Sequence, residues 1–301
     1  MAGRRRKKSG GRSYAWRYRG RIVACVFVEV IIICALVIMI GWNKGVKEWF
    51  EQFEQPVLKE VDISGINSPN AILMQARGGK ILGEINGEAQ IYPASMTKIM
   101  TVILGIENFD DLDEKITLTN EMFSGLYEQD ATQAGFQPGE EVRVIDLLYG
   151  AMLPSGAECC IALADTISGS EADFAELMNK KARKLGMENT HFCDSTGLHN
   201  PDHYSTVKDI AVLMKYCIKN DTFREIVETS RHSTGVTNIH PDGITYYSTM
   251  FKNLSDPTVT GGKILGGKTG YTSEAGHCLV SFAEIEGREY ICLLYTSPSP
   301  R

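Results

Sequence analysis

Closely spaced metal-binding side chains are scarce in this chain of 301 residues. None of its eight cysteines belongs to a Cys-x-x-Cys motif, and its six histidines all lie at or beyond His191. A zinc hydrolase that places histidine and aspartate ligands ahead of a Glu-x-x-His element is disfavoured, because no histidine precedes the candidate segment 188–191. His199 and His203 flank Pro201 in a predicted loop, where a structural role is more common than metal binding. We expect no metal and no cofactor.

The cysteines resemble small buried apolar residues. Cys25 and Cys34 lie in an apolar run near the N-terminus, and Cys292 lies near the C-terminus. The other five are Cys159, Cys160, Cys193, Cys217 and Cys278. An odd number without a paired motif does not define a disulfide framework, so burial is the expected role and a disulfide stays open.

Acidic side chains are absent from residues 1–21, which hold nine arginines or lysines. Residues 22–41 are mainly apolar with Glu29 as their one charge, and at ~1.5 Å per residue they can cross a ~30 Å hydrocarbon layer. No small-x-small cleavage pattern follows them. This order predicts a basic cytoplasmic segment (1–21) and an uncleaved transmembrane signal-anchor (22–41), with the remainder extracytoplasmic. It favours a membrane over nucleic acid as the partner of the basic residues.

The segment 42–63 has apolar residues at helical spacing, among them Val46, Trp49 and Phe53, and the pattern is broken by Pro56. We predict a short juxtamembrane stalk here and one large domain over 64–291.

The segment Pro93-Ala94-Ser95-Met96-Thr97-Lys98 is typical of a helix start, and the apolar residues 99–104 continue the helix. Ser95 and Lys98 then lie on one helix face, three residues apart. A lysine kept neutral by burial or by a second cation can take the proton of a serine hydroxyl, so Ser95 is a candidate nucleophile and Lys98 its base. Ser-x-x-Lys alone is a weak signal, since Ser205 to Lys208 repeats it.

Two further motifs follow in order. Met152-Leu153-Pro154-Ser155-Gly156 supplies a second serine, and Lys268-Thr269-Gly270-Tyr271-Thr272 contains the only Lys-Thr-Gly of the chain. The set resembles the serine-type D-Ala-D-Ala carboxypeptidases, the low-molecular-weight penicillin-binding proteins of the peptidase S11-like family. The resemblance covers about 64–291 and also includes the segments 135–140, 162–165, 194–198 and 204–209.

The resemblance implies acyl transfer in three roles. Ser95 attacks the carbonyl between two D-alanines, Lys98 takes the proton, and Ser155 relays it to the leaving amine. Residues 268–272 bind the substrate, with Lys268 and Thr269 holding its terminal carboxylate. The N–H groups of Ser95 and Tyr271 form the oxyanion hole. The implied partners are a peptidoglycan stem peptide ending in D-Ala-D-Ala, β-lactams and the bacterial cell membrane, and no nucleic acid.

One position departs from the family pattern. The middle motif of the family is Ser-x-Asn, but Ala157 occupies the amide position here, which removes two hydrogen bonds. A carboxypeptidase is favoured, and a membrane-anchored penicillin-binding sensor with little turnover stays open. A class A-like β-lactamase would need a deacylating glutamate, and the candidate Glu176 lies inside an amphipathic helical pattern. The preference between carboxypeptidase and transpeptidase reactions stays open too.

Strand patterns at both ends of the domain enclose helical ones. We predict a hairpin over 71–76 and 80–85, strands over 264–272, 277–285 and from 289, and helices over 142–153, 158–168, 171–185 and 206–219. Such an arrangement indicates an α+β domain, an antiparallel sheet with a helical layer. The resemblance implies the β-lactamase/transpeptidase-like fold with a helical subdomain.

Residues 292–301 are similar, residue for residue, to one reading frame of a transposase adapter used in sequencing libraries, so we interpret them as foreign to the protein. The family closes its domain with a central strand and a covering C-terminal helix. We therefore expect the strand from Glu289 to be completed as far as Tyr295, Thr296 onward to be loose, and an apolar patch to stay exposed on the sheet of a truncated domain.

Overall fold

The computed structural model describes residues 59–254 and 256–296. The predicted segments 1–21 and 22–41 and most of the predicted stalk lie outside these residues. Among the described residues, no helix is both long and apolar enough to cross a membrane.

Strands and helices alternate in blocks along the described residues. The strands are β1 (Asn70–Gln75), β2 (Ile81–Ile85), β3 (Lys115–Thr117), β4 (Glu141–Arg143), β5 (Arg231–Ser233), β6 (Thr245–Tyr247), β7 (Thr258–Val259), β8 (Gly262–Thr272), β9 (Gly276–Ile285) and β10 (Arg288–Tyr295). The α-helices are α1 (Lys98–Asn108), α2 (Val144–Met152), α3 (Ala157–Ser168), α4 (Glu171–Leu185), α5 (Val207–Cys217), α6 (Asp221–Glu228) and α7 (Thr249–Asn253).

The main sheet is antiparallel, with strand order β2-β1-β10-β9-β8-β7. The hairpins β1–β2, β8–β9 and β9–β10 confirm the predicted strand pairs. Strand β10 lies between β1 and β9, and it pairs with β1 from Asn70 opposite Tyr295 to Gln75 opposite Tyr290. The mixed helix and sheet architecture predicted from the sequence is confirmed.

Helix α1 is the centre of the domain. Ile99, Met100, Val102 and Ile103 are fully buried, and α1 packs on α2, α3, α5 and α6. A helix that is apolar on all sides is stable only when it is enclosed in this way. The short 3-10 helix Ala94–Thr97 directly ahead of α1 packs on β8, so the residues before Lys98 meet the strand that carries the Lys-Thr-Gly motif.

The helix ends follow their capping residues. Ser170 accepts the N–H of Asp173 at the start of α4, and Gly186 follows its end in the left-handed conformation, which confirms the predicted bounds 171–185. Thr206 caps α5 through the N–H of Asp209. This helix is therefore slightly shorter than predicted, because Thr206 precedes it and Cys217 ends it.

Residues near both ends of the described part of the chain form hydrogen bonds with the main sheet. The N–H of Val61 donates to the carbonyl of Leu82 at 2.7 Å, so the end of the predicted stalk lies along β2. Thr296 donates through its N–H and its hydroxyl to the carbonyl of His277, at 2.9 and 2.6 Å. The prediction of a loose Thr296 is wrong, since it extends the β9–β10 pairing by one residue. Tyr290, Cys292 and Leu294, on one face of β10, are only half-buried.

Cysteines in the described residues are all free thiols. Cys159, Cys160, Cys217 and Cys278 are buried, as the sequence predicts, whereas Cys193 is half-buried.

Candidate active site

The short 3-10 helix Ala94–Thr97 carries Ser95 and leads directly into α1 at Lys98. Nζ of Lys98 lies 3.2 Å from Oγ of Ser95 and donates to the carbonyl of Thr196 at 2.7 Å. Lys98 is 4% exposed, and this burial lowers its pKa. The predicted pair is therefore in contact, and the lysine lies where its neutral form is favoured.

Ser155 follows α2 in a tight loop. Its backbone is left-handed (φ 74°), a conformation that costs a residue with a side chain about 1–2 kcal/mol. Lys268 on β8 donates from Nζ to Oγ of Ser155 at 3.0 Å and to the carbonyl of Thr269 at 2.9 Å. Burial, and next the charge of Lys98, lower the pKa of Lys268 to about 7. Two serine–lysine pairs thus meet behind one cleft.

The cleft has a volume of about 560 Å³. Five of the eight predicted residues line it: Ser95, Ser155, Thr269, Gly270 and Tyr271. Lys98 and Lys268 are buried beside the two serines. Thr272 does not line it, because its hydroxyl accepts the N–H of Ala275 in the β8–β9 turn at 3.0 Å.

Close packing joins β8 to the nucleophile. A Cβ added to Gly270 would lie 2.6 Å from Sγ of Cys278 and 3.2 Å from the backbone nitrogen of Ser95. Glycine at this position therefore lets the strand approach the turn that carries Ser95.

Among the lining residues that were not predicted from the sequence, two polar ones come from the same short helix. Thr249 begins α7, and its hydroxyl lies 2.6 Å from that of Thr269. Asn253 also lines the cleft, and its amide donates to the carbonyl of Thr249. They come from a helix of five residues that has no sequence signal of its own, other than Ser248, whose hydroxyl caps it.

Ala157 stands where the family motif has an asparagine, and backbone contacts hold it in place. Ala157 is 1% exposed at the start of α3, and its N–H donates to the carbonyl of Thr132 at 2.8 Å. Next to it, Oε1 of Glu158 accepts the N–H groups of Ala134 and Gly135 at 2.6 and 2.9 Å. Burial raises the pKa of Glu158. These contacts fix the cleft wall that contains Thr132.

A second loop holds the base from the other side. Oδ1 of Asp194 accepts the N–H and the hydroxyl of Thr196 and the N–H of Gly197, at 2.7, 2.8 and 2.6 Å. Oδ2 lies 3.1 Å from Nδ1 of His203, whose Nε2 lies 2.9 Å from Oγ1 of Thr97. Burial opposes ionisation of Asp194, but the bonds from His203, Gly197 and Thr196 lower its pKa to about 2.

The second Ser-x-x-Lys segment, Ser205 to Lys208, and the glutamate considered for a β-lactamase do not line the cleft. Lys208 forms an ion pair with Glu88, and the hydroxyl of Ser205 contacts that of Thr190 at 2.8 Å. Glu176 is exposed on α4 and does not line the cleft. No group of three or more histidine, cysteine or acidic side chains suited to a metal occurs in the described region.

Comparisons with known proteins agree with this geometry. The family model described as D-alanyl-D-alanine carboxypeptidase matches residues 57–296. The chain is 33% identical over 234 residues to D-alanyl-D-alanine carboxypeptidase DacF of Bacillus subtilis (strain 168), a match that covers 77% of this chain and 58% of the relative. It is 36% identical over 213 residues to a D-alanyl-D-alanine carboxypeptidase of Streptomyces sp. (strain K15), with coverages of 68% and 72%.

Among solved structures, the Streptomyces K15 DD-transpeptidase superposes with a TM-score of 0.69 at 30% identity, covering 81% of this chain and 93% of that one. The D-alanyl-D-alanine carboxypeptidase of Mycobacterium tuberculosis H37Rv shares the fold with a TM-score of 0.70 at 22% identity, with coverages of 80% and 87%. The chain spans a little over half the length of the first two curated relatives, 58% and 55%.

Proposed function

We propose that this chain, which belongs to the D-alanyl-D-alanine carboxypeptidase family, removes the terminal D-alanine from peptidoglycan stem peptides through an acyl-enzyme on Ser95. β-Lactams acylate the same serine in this proposal. The observation that carries it is the meeting of two serine–lysine pairs at one cleft, Ser95 with Lys98 and Ser155 with Lys268.

The first half-reaction needs a base and an acid. Oγ of Ser95 bonds to the carbonyl carbon between the two D-alanines while its proton passes to Nζ of Lys98. The carbon–nitrogen bond then breaks, and the hydroxyl of Ser155 protonates the leaving amine. Ser155 recovers a proton from the Lys98 ammonium, so Lys98 is neutral again, and Lys268 holds the Ser155 hydroxyl through its hydrogen bond. Burial lowers the pKa of Lys98, which favours the neutral amine that a base requires, and the pKa of Lys268 is lowered to about 7.

The second half-reaction releases the peptide. Lys98 takes a proton from the attacking water, whose oxygen bonds to the acyl carbon, and gives that proton to Oγ of Ser95 as the ester bond breaks. Thr269 and Thr249, whose hydroxyls touch at the cleft, are suited to hold the terminal carboxylate of the substrate before cleavage.

A penicillin-binding sensor is the second candidate, and Ala157 is the observation that favours it. The methyl group of Ala157 can neither accept nor donate a hydrogen bond at the position where the family has an amide. A sensor of this kind would be acylated and then release product very slowly. A class A-like β-lactamase has less support, because Glu176 is exposed on α4 away from the cleft.

One paired assay tests the proposal. The full-length protein is incubated with a fluorescent penicillin and, in parallel, with a diacyl-Lys-D-Ala-D-Ala peptide whose released D-alanine is measured. We expect label on Ser95, none on a Ser95→Ala variant, and steady release of D-alanine. A burst of acylation without steady release would identify the sensor, and undiminished labelling of Ser95→Ala would disprove the nucleophile.

We also propose that the protein is a single-pass protein of the bacterial cell membrane, with its N-terminus cytoplasmic and its catalytic domain outside. The nine basic residues ahead of the apolar run 22–41 support this orientation. Protease added to intact protoplasts should degrade the catalytic domain, and a protected domain would refute the orientation.

The foreign origin of residues 292–301 stays a proposal supported by their similarity to an adapter. Sequencing the source gene without adapters should show a different reading after Ile291. The same ten residues in independent sequence would refute the interpretation.

A further inference from the structure

We propose that Asp194 is a positioning residue for Lys98, acting through the carbonyl group of Thr196 and through His203. The inference rests on the function proposed above, in which Lys98 is the base. It concerns the segment 194–198. This segment resembles the family in sequence, but the reaction steps described above assign it no role.

The first link runs from the Asp194 carboxylate to the amine of Lys98. Oδ1 of Asp194 accepts three hydrogen bonds from Thr196 and Gly197, all between 2.6 and 2.8 Å. These bonds fold the backbone back on itself, so the carbonyl of Thr196 accepts Nζ of Lys98 at 2.7 Å. The amine of Lys98 is thus held between this carbonyl and Ser95. A base oriented by a third group is the usual arrangement when a serine is activated.

The second link fixes the same loop to the turn that carries Ser95. His203 is 2% exposed and bridges Oδ2 of Asp194 to the hydroxyl of Thr97, the residue before Lys98. The carbonyl of Ser195 accepts the hydroxyl of Thr101 on α1 at 2.6 Å. The loop therefore contacts the nucleophile-bearing segment on both sides of Lys98.

The charge of Asp194 adds to its geometry. When Lys98 takes the proton of Ser95 it becomes an ammonium in a buried site, and a nearby carboxylate stabilises that form. The titratable groups that interact electrostatically with Lys98 come from three other elements. They are Cys159, Cys160 and Glu158 on α3, Lys268 on β8, and Asp194 on the loop. Asp194 has the lowered pKa of a carboxylate that stays ionised, whereas burial raises the pKa values of Glu158 and Cys160.

A merely structural role predicts a different result, and the chain offers a matched control. Asp146 has a buried carboxylate, with a side chain 2% exposed; its Oδ1 lies 3.0 Å from Nε2 of His232, and its Oδ2 accepts Nε of Arg143 at 2.8 Å. It lies in the first turn of α2, at the opposite end of that helix from Ser155. Asp194→Asn and Asp146→Asn therefore make the same chemical change in two Asp–His pairs, of which the Asp194 side chain is 20% exposed.

The experiment measures the second-order rate of acylation by a fluorescent penicillin from pH 5 to pH 10, together with the melting temperature, for the full-length protein and both variants. An asparagine at position 194 can keep the three bonds to Oδ1, and its N–H₂ group can donate to Nδ1 of His203, so mainly the charge is lost. Wild-type labelling tests the proposed function. The difference between wild type and Asp194→Asn tests this inference.

We expect Asp194→Asn to lower the maximal acylation rate by about 10- to 100-fold, the range typical of groups that orient a reacting residue. Removal of the anion lowers the pKa of Lys98, so the acid limb of the rate profile moves to lower pH. Asp146→Asn should lower the melting temperature and leave the acid limb unchanged. An Asp194→Asn profile that coincides with wild type would overturn the inference.

A second variant covers the case in which Asp194→Asn does not fold. His203→Gln keeps the Asp194 charge but cannot reach all three partners of His203, which are Asp194, Thr97 and the N–H of Cys193. It should reduce the maximal rate by about 3- to 10-fold with an unmoved acid limb, because the charge remains while the loop is held less firmly. An undiminished rate in this variant would also contradict the inference.

Discussion

We expect Gly197→Ala, which adds one methyl group, to displace the backbone next to Ser95 and so to distort the cleft. The backbone of Gly197 is left-handed (φ 82°), and an added Cβ would lie 1.9 Å from the carbonyl oxygen of Ala94 and 2.8 Å from Oγ1 of Thr97. The nearest of these atoms belong to the backbone directly ahead of Ser95. They have no flexible side chain that could swing away.

The cost of Gly197→Ala has two parts. The left-handed backbone costs about 1–2 kcal/mol once a Cβ is present. Restoring an ordinary contact distance of 3.4 Å requires the Ala94 carbonyl or the 197 backbone to move by about 1.5 Å, and overpacking of this kind adds about 1–3 kcal/mol. A total of about 3 kcal/mol lowers the melting temperature of a domain of this size by roughly 6–12 °C. A shift of about 1 Å next to a nucleophile reduces the rate by about 100-fold.

The matched control is Gly169→Ala. Gly169 follows α3 with nearly the same backbone angle (φ 81°), but a Cβ there would meet nothing within 4 Å. We expect it to lose roughly 3–6 °C and to keep the wild-type acylation rate. Calorimetry and fluorescent-penicillin kinetics on both variants separate backbone strain from the clash. Equal melting temperatures together with equal acylation rates would refute the reasoning.

Three further predictions concern the lysines and the amide position. The pKa of Lys268 is about 7 in the folded protein and 10.5 ordinarily. Between these two pH values the unfolded chain binds a proton that the native state does not. The free energy of unfolding therefore rises with pH, by at most about 1.4 kcal/mol per pH unit. The difference in melting temperature between Lys268→Met and wild type should therefore shift in favour of wild type from pH 7 to pH 9; a constant difference would show that burial does not neutralise Lys268. Ala157→Asn should raise the acylation rate measured by stopped flow if the position merely lacks an amide, whereas no change or a loss would indicate a compensating arrangement. Lys208→Ala should keep full penicillin labelling and lose less than about 1 kcal/mol in denaturant unfolding, because an exposed ion pair contributes little; loss of label would restore the second Ser-x-x-Lys as a candidate.

What could be predicted from the sequence depends on how local the signal is. Ser95 and Lys98 are three residues apart on one helical segment, so their contact follows from helix geometry alone. Lys268 reaches Ser155 across 113 residues, and only the resemblance to a known family placed them in one site. The amphipathic pattern and the capping residues of α4 gave both of its ends without any tertiary information.

The missed residues have no local signal. Thr249 touches Thr269 because a helix of five residues packs on β8, and no periodicity can be recognised in so short an element. His203 was expected to have a structural role in a loop, but its link to Thr97 spans 106 residues. Thr272 was grouped with the binding strand because it belongs to the motif, yet its hydroxyl is used by the turn that follows. Residue type shows what a side chain can do, while the partner is set by the fold.

The position of β10 between β1 and β9 governs when the cleft can first exist during synthesis. β1 leaves the ribosome early and has no partner on that edge until the last strand follows, more than 200 residues later. At about 5–20 residues per second that delay is roughly 10–40 seconds, during which the apolar edge of β1 and the buried face of α1 are open to chaperones or to aggregation. Pairing across so large a sequence separation also makes the final folding step slow. Penicillin labelling is therefore expected to start abruptly, in chains that have been made through the strand that pairs with β1, and a fragment released before Arg288 should carry Ser95, Lys98 and Lys268 without reacting.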